Sequence, residues 1–139
     1  MKLLIITIVL FFSFNAMTQA AEWLEISSDT YMDKSSYEYN PETQIARMWT
    51  KTLNNKQRNM ENINGKKVQY KMTYGEFDCA GKQVQTISAV WYGPQSNVLD
   101  SYENPFKDDS TLNSWTTIVP DSYGEMLYEV ACHPYFEKD

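Results

Sequence analysis

At 139 residues, with 42% hydrophobic and 22% charged residues and a formal net charge of -6, the chain has the size and balance of one folded domain rather than a repeat array or a disordered tail. The acidic balance argues against nucleic acid as the main partner, since a polyanion is held by a basic face. One histidine and two cysteines are too few of the usual ligands for a zinc site, and no Gly-rich phosphate loop, nucleophile elbow or dinucleotide fingerprint occurs.

Met1-Lys2 precedes an apolar run from Leu3 to Phe14, followed by Thr18-Gln19-Ala20. A positive start, a short apolar stretch and small residues before the cut are the marks of a secretory signal peptide, cleaved after Ala20. The run is too short to span a bilayer and no second one follows. The sequence therefore predicts residues 1–20 as a signal peptide and 21–139 as a single exported domain with no membrane span. Disulfides form in exported chains, and Cys79 and Cys132 allow only one internal pair.

Trp23 to Ile26 reads as a short strand, and Tyr31-Met32-Asp33 as a second, ended by Lys34-Ser35-Ser36. Gln44 to Leu53 is a third candidate, rich in residues that suit a pleated surface. Ile45, Trp49 and Leu53 also share helical spacing, which leaves a helix as the alternative. Asn54 to Lys67 is polar and asparagine-rich, with Asn64-Gly65 as a turn signal, and reads as a long, mobile loop of the kind that carries binding.

Tyr70 to Tyr92 reads as a hairpin turning at Cys79-Ala80-Gly81-Lys82. With Ala80-Gly81 as a two-residue turn, Tyr74 faces Ile87, Met72 faces Ala89 and Tyr70 faces Trp91 on a buried, aromatic side. Gly75 then pairs with Thr86, Thr73 with Ser88 and Lys71 with Val90 on a largely polar side, where Phe77 and Val84 break the pattern. A three-residue turn with Gly81 left-handed is the alternative.

Asn97 to Tyr102 supplies a further strand, and Glu103 to Ser114 reads as irregular. Ser122 and Glu125 have capping-box spacing, and Tyr123, Met126, Leu127 and Val130 share one helical face. Pro134 ends that helix near Cys132. Strands followed by one amphipathic helix predict an α+β domain: an antiparallel sheet of about five to six strands with a C-terminal α-helix packed on one face. The helix end is where Cys132 can reach Cys79, and closing that loop adds about 4 kcal/mol by restricting the unfolded chain.

Glu22-Trp23, Tyr31-Met32-Asp33 with Ser36, Trp49, Glu76-Phe77-Asp78-Cys79 and Trp91-Tyr92 are followed by Trp115, Ile118-Val119-Pro120, Ser122, Gly124-Glu125, Leu127 and Ala131-Cys132. In order and spacing this set resembles the surface-adhesin protein E-like family of exported bacterial proteins. The resemblance implies an antiparallel sheet with a disulfide-fastened terminal helix, self-association into homodimers, and binding of host proteins such as vitronectin, laminin and plasminogen. The chain departs from a surface-anchored pattern in lacking a lipidation cysteine near the cleavage site, so periplasm, outer surface and secretion all remain open.

Between Gln44 and Lys71 the positive residues face Glu61 alone, whereas acids dominate from Asp100 onward. Lys56, Arg58, Lys66 and Lys67 are the candidate ligand-binding residues, a salt-sensitive surface for polyanions or acidic host proteins; a solvated loop without a partner is the alternative. Glu76 and Asp78 read as a solvated turn end rather than an acid–base or calcium pair, and His133 as a turn residue. Trp91, Tyr70 and Tyr74 are assigned to the core, leaving Tyr37, Tyr39 and Tyr102 as exposed contact residues. The expectation is a noncatalytic binding protein without cofactor or metal, with a periplasmic accessory or enzyme-inhibitor protein as the alternative.

Overall fold

The computed structural model describes residues 20–108 and 114–136. Most of the expected signal peptide and part of the expected irregular segment, residues 1–19 and 109–113, lie outside the described residues. Among those described, no helix is long and apolar enough to cross a membrane.

The strands are β1 (Trp23–Ser27), β2 (Thr30–Asp33), β3 (Glu38–Asn40), β4 (Ile45–Leu53), β5 (Tyr70–Asp78), β6 (Gln83–Tyr92), β7 (Val98–Glu103) and β8 (Thr116–Thr117). They form one antiparallel sheet in the order β1-β2-β4-β5-β6-β7, with β3 also beside β4 and β8 also beside β6. Every strand the sequence marks is present. The two extra ones, β3 and β8, have three and two residues, too short for an alternating pattern to show. In β4 Ala46, Met48, Thr50 and Thr52 are buried and the residues between them are not, which settles strand over helix at this stretch.

The central hairpin corrects the sequence reading. Its loop is Cys79 to Lys82, closed by the Asp78–Gln83 pair, and the left-handed residue is Lys82 with φ 52° rather than Gly81. Gly81 matters for another reason: a Cβ there would displace the Asp78 carboxylate. That carboxylate accepts hydrogen bonds from the amides of Ala80 and Gly81 at 3.1 and 2.8 Å. Gly75 pairs with Thr86 and Phe77 with Val84 as expected.

Beyond them Ile87 forms a β-bulge, so that Tyr74 pairs with Ser88, Met72 with Val90, Lys71 with Trp91 and Tyr70 with Tyr92. The expected partners Ile87, Ala89, Val90, Ser88 and Trp91 are each off by one. A bulge inserts one unmatched residue and swaps the faces of everything after it. The Ile87 carbonyl accepts a hydrogen bond from the Asn104 amide at 2.8 Å, which continues the β6–β7 pairing.

The consequence is an exchange of faces. The side bearing Phe77 and Val84 is the one the helix covers, so the two residues that broke the polar pattern mark the core. Met32, Tyr37, Ala46, Met48 and Phe77 pack there against Leu127, Tyr128, Val130 and Ala131 of α1 (Tyr123–Cys132). Trp91 joins that side, while Tyr70, Met72 and Tyr74 lie on the other, beside Leu53, Lys51 and Trp49 of β4.

The helix begins as its sequence dictates. The Ser122 hydroxyl accepts from the Glu125 amide at 3.2 Å, and the Glu125 carboxylate accepts from the Asp121 amide at 2.7 Å. At its end Cys132 is bonded to Cys79, with Cα atoms 5.6 Å apart. Beside the bridge the Tyr128 hydroxyl donates to the Cys79 carbonyl, and the Tyr37 hydroxyl to the Ala131 carbonyl, both at 2.8 Å.

Candidate binding surfaces

The sheet face opposite the helix carries a row of half-buried aromatic residues. Trp49 and Tyr74 are cross-strand neighbours with ring centroids 5.2 Å apart, and Tyr70 stacks on Tyr92 at 4.7 Å. The Lys51 ammonium sits between, 4.5 Å from the Tyr70 ring and 5.9 Å from the Trp23 ring. Tyr31 lies opposite Lys51 on β2. Burial pushes the Tyr74 hydroxyl up from its ordinary value, with Glu38 adding to the effect, so it is a hydrogen-bond donor at neutral pH.

Arg47 borders this row, its Nε 2.6 Å from Glu76 Oε1, while the Gln85 amide donates to the other Glu76 oxygen. Glu76 is thereby fully engaged, and Asp78 caps the hairpin loop, so neither carboxylate of that pair is free for acid–base work. Among the described residues no group of three potential metal ligands occurs. His133 is exposed and lies 2.9 Å from Glu129. Aromatic residues, methionine and arginine are what the cores of protein interfaces are enriched in. This face has that composition, with Met72 at its centre.

The four loop cations fall into two kinds. Lys56, Lys66 and Lys67 are exposed. Arg58 is a structural peg: its Nε is 2.9 Å from Asp29 Oδ2, and its guanidinium lies over the Tyr123 ring at 4.1 Å. Asp29 is 4% exposed and also accepts from Ser27, Thr30 and Asn55. The Arg58 hydrogen bond holds its carboxyl far below the usual carboxylate range despite burial.

The loop is tied down along its length, contrary to the expectation of a mobile one. Asn54 donates to the Val68 carbonyl at 2.6 Å and accepts from the Met60 amide at 2.9 Å, and Asn55 accepts from the amides of Gln57 and Arg58. Its asparagines act as turn-formers through their own side chains. Asn64 and Gly65, with φ 51° and 73°, close the small Ile63–Lys66 bridge, as the Asn-Gly signal requires.

The exposed tyrosines are only partly those expected. Tyr39 and Tyr102 are 46% and 43% exposed, but Tyr37 is in the core at 6%, because its hydroxyl finds a partner at the end of the helix. Sequence reasoning missed the aromatic face by placing Tyr70 and Tyr74 inside. The signal available was in β4, where Arg47, Trp49 and Lys51 share one side and no buried face would hold all three.

Comparison with known proteins gives one family and one fold. A model of surface-adhesin protein E matches residues 23–133. The crystal structure of protein E from non-typeable Haemophilus influenzae aligns with a TM-score of 0.52 at 11% identity, covering 85% of this chain and 80% of that one. Crystal form II of Haemophilus influenzae protein E aligns with a TM-score of 0.51 at 11% identity, covering 77% and 82%. At such identity the likeness speaks to the fold alone. No curated protein matches.

Proposed function

This chain belongs to the surface-adhesin protein E family, and from that we propose that it is an exported, noncatalytic binding protein that engages a host matrix or serum protein through the open face of its sheet. The carrying observation is the pairing of Trp49 with Tyr74 and of Tyr70 with Tyr92 on the side the helix leaves bare. Rigid aromatic side chains on a sheet supply contact area at small entropic cost, and interface energy concentrates on such anchors.

Lys56, Lys66 and Lys67, on a loop whose Arg58, Met60, Glu61 and Ile63 stand on the helix side, act at long range, drawing in an acidic partner, which raises the association rate and makes it salt-dependent. Arg58, of the same candidate set, contributes by fixing the loop that presents them. Binding of the folded, oxidised protein to immobilised vitronectin and laminin tests the reading, together with fractionation of the cells that make it. Saturable binding and surface exposure are expected. Strict periplasmic retention with no host-protein binding would favour the accessory or inhibitor role instead.

A further inference from the structure

On the helix side of the sheet, under the 54–67 loop and beside the first turn of α1, is a cleft of about 600 Å³, within the range of small-molecule sites. It follows β5 from Lys71 past Thr73 and Gly75 to Phe77, a run of about 20 Å at strand rise. Its far end is apolar, walled by Met48, Phe77 and Leu127. At its near end stands the Lys71 ammonium, 4.7 Å from the Trp91 ring centroid.

We propose that this cleft binds an aliphatic monocarboxylate, with its chain laid along Thr73, Gly75 and Phe77 and its head group on Lys71. Among the described residues Lys71 has no carboxylate within ion-pair distance, although every other element of the cleft's charge is balanced or exposed: Arg58 is taken up by Asp29, and Glu61 and Asp100 are open to solvent. Burial draws the Lys71 amine below its ordinary value, because the ammonium loses hydration that the face of Trp91 offsets only in part. An ionised carboxylate replaces it with a charge-assisted hydrogen bond.

The charges also limit the class of ligand. One ammonium answers one negative charge, and the Glu61 and Asp100 carboxylates among the lining residues repel a multiply charged head such as a phosphate monoester. Gly75 matters because a side chain there would crowd the Phe77 ring, with a Cβ at 3.2 Å from it, and would narrow the passage between head and tail. This site lies on the face opposite the aromatic row and does not depend on what that row binds.

The test is calorimetric titration of the oxidised protein with dodecanoate, its methyl ester and dodecylamine. The acid is expected to bind saturably, the ester at least tenfold more weakly and the amine not at all. Lys71→Met, which keeps the apolar stem, should weaken the acid at least tenfold and leave the ester unchanged, whereas Lys107→Met should alter neither. Thr73→Trp, which fills the passage, should weaken both; should it fail to fold, the acid-to-ester ratio in Lys71→Met decides alone. Absence of saturable dodecanoate binding, equal loss of acid and ester in Lys71→Met, or binding to anionic phospholipid vesicles but not to monomeric dodecanoate would overturn the proposal.

Discussion

The Arg58 guanidinium lies between the Asp29 carboxylate, 2.9 Å from its Nε, and the face of Tyr123 at 4.1 Å. One side chain thus joins the β1–β2 turn, the basic loop and the start of the helix. Because Asp29 is buried, removing its charge leaves the arginine without its counter-ion, and Asp29→Asn is expected to cost about 3 kcal/mol in urea denaturation. Amide exchange across residues 55–60 should quicken by more than elsewhere in the chain.

The same pair sets an acid limit. A carboxyl lowered in the folded state contributes stability that is full above its unfolded value of about 4 and is lost as pH falls through the lowered folded value. Stability of the parent protein should therefore fall progressively below about pH 4. The gap between it and Asp29→Asn should close over that range. Parallel curves for the two proteins would mean that Asp29 does not carry the effect.

The helix is expected to depend on its sulfur bridge more than on any other single contact. Cys79 and Cys132 are 53 residues apart, and replacing both with serine should cost about 4 kcal/mol, a fall of roughly 15 °C in Tm. Tyr128→Phe removes the hydroxyl that donates to the Cys79 carbonyl and should cost about 1 kcal/mol more in the reduced background.

Gly81 and Asp78 should behave as one unit. Gly81→Ala pushes the Asp78 carboxylate off the loop amides, and Asp78→Ala deletes it, so each should cost about 1 kcal/mol. The double variant should cost little more than either alone, since both act through one carboxylate. Additive losses would show that the loop glycine acts through backbone freedom instead.

Local chemistry made much of this fold legible. Ser122 with Glu125 and the following Pro134 bound the helix, two cysteines in an exported chain leave one pairing, and Asn64-Gly65 marks its turn. What could not be read depends on partners distant in sequence. The bulge at Ile87, which lies opposite Asn104 in the β6–β7 pairing, decides which side of β6 is buried. Arg58 looked like a free cation because Asp29, 29 residues earlier, shows its role only once the turn and the loop meet. Tyr37 is buried by a carbonyl on the final helix, 94 residues away.

The central claim is that the aromatic face is the binding surface, and one comparison bears on it most directly. Affinity for vitronectin would be measured by surface plasmon resonance for the parent, for Trp49→Ala with Tyr74→Ala, and for Lys56→Glu with Lys66→Glu and Lys67→Glu. Unfolding of each by heat shows that the variants are folded. The aromatic pair should lose about thirtyfold in affinity, mostly through faster dissociation, while the loop reversal mainly slows association at low salt. If the folded aromatic variant binds as the parent does, the open face is not where the partner sits.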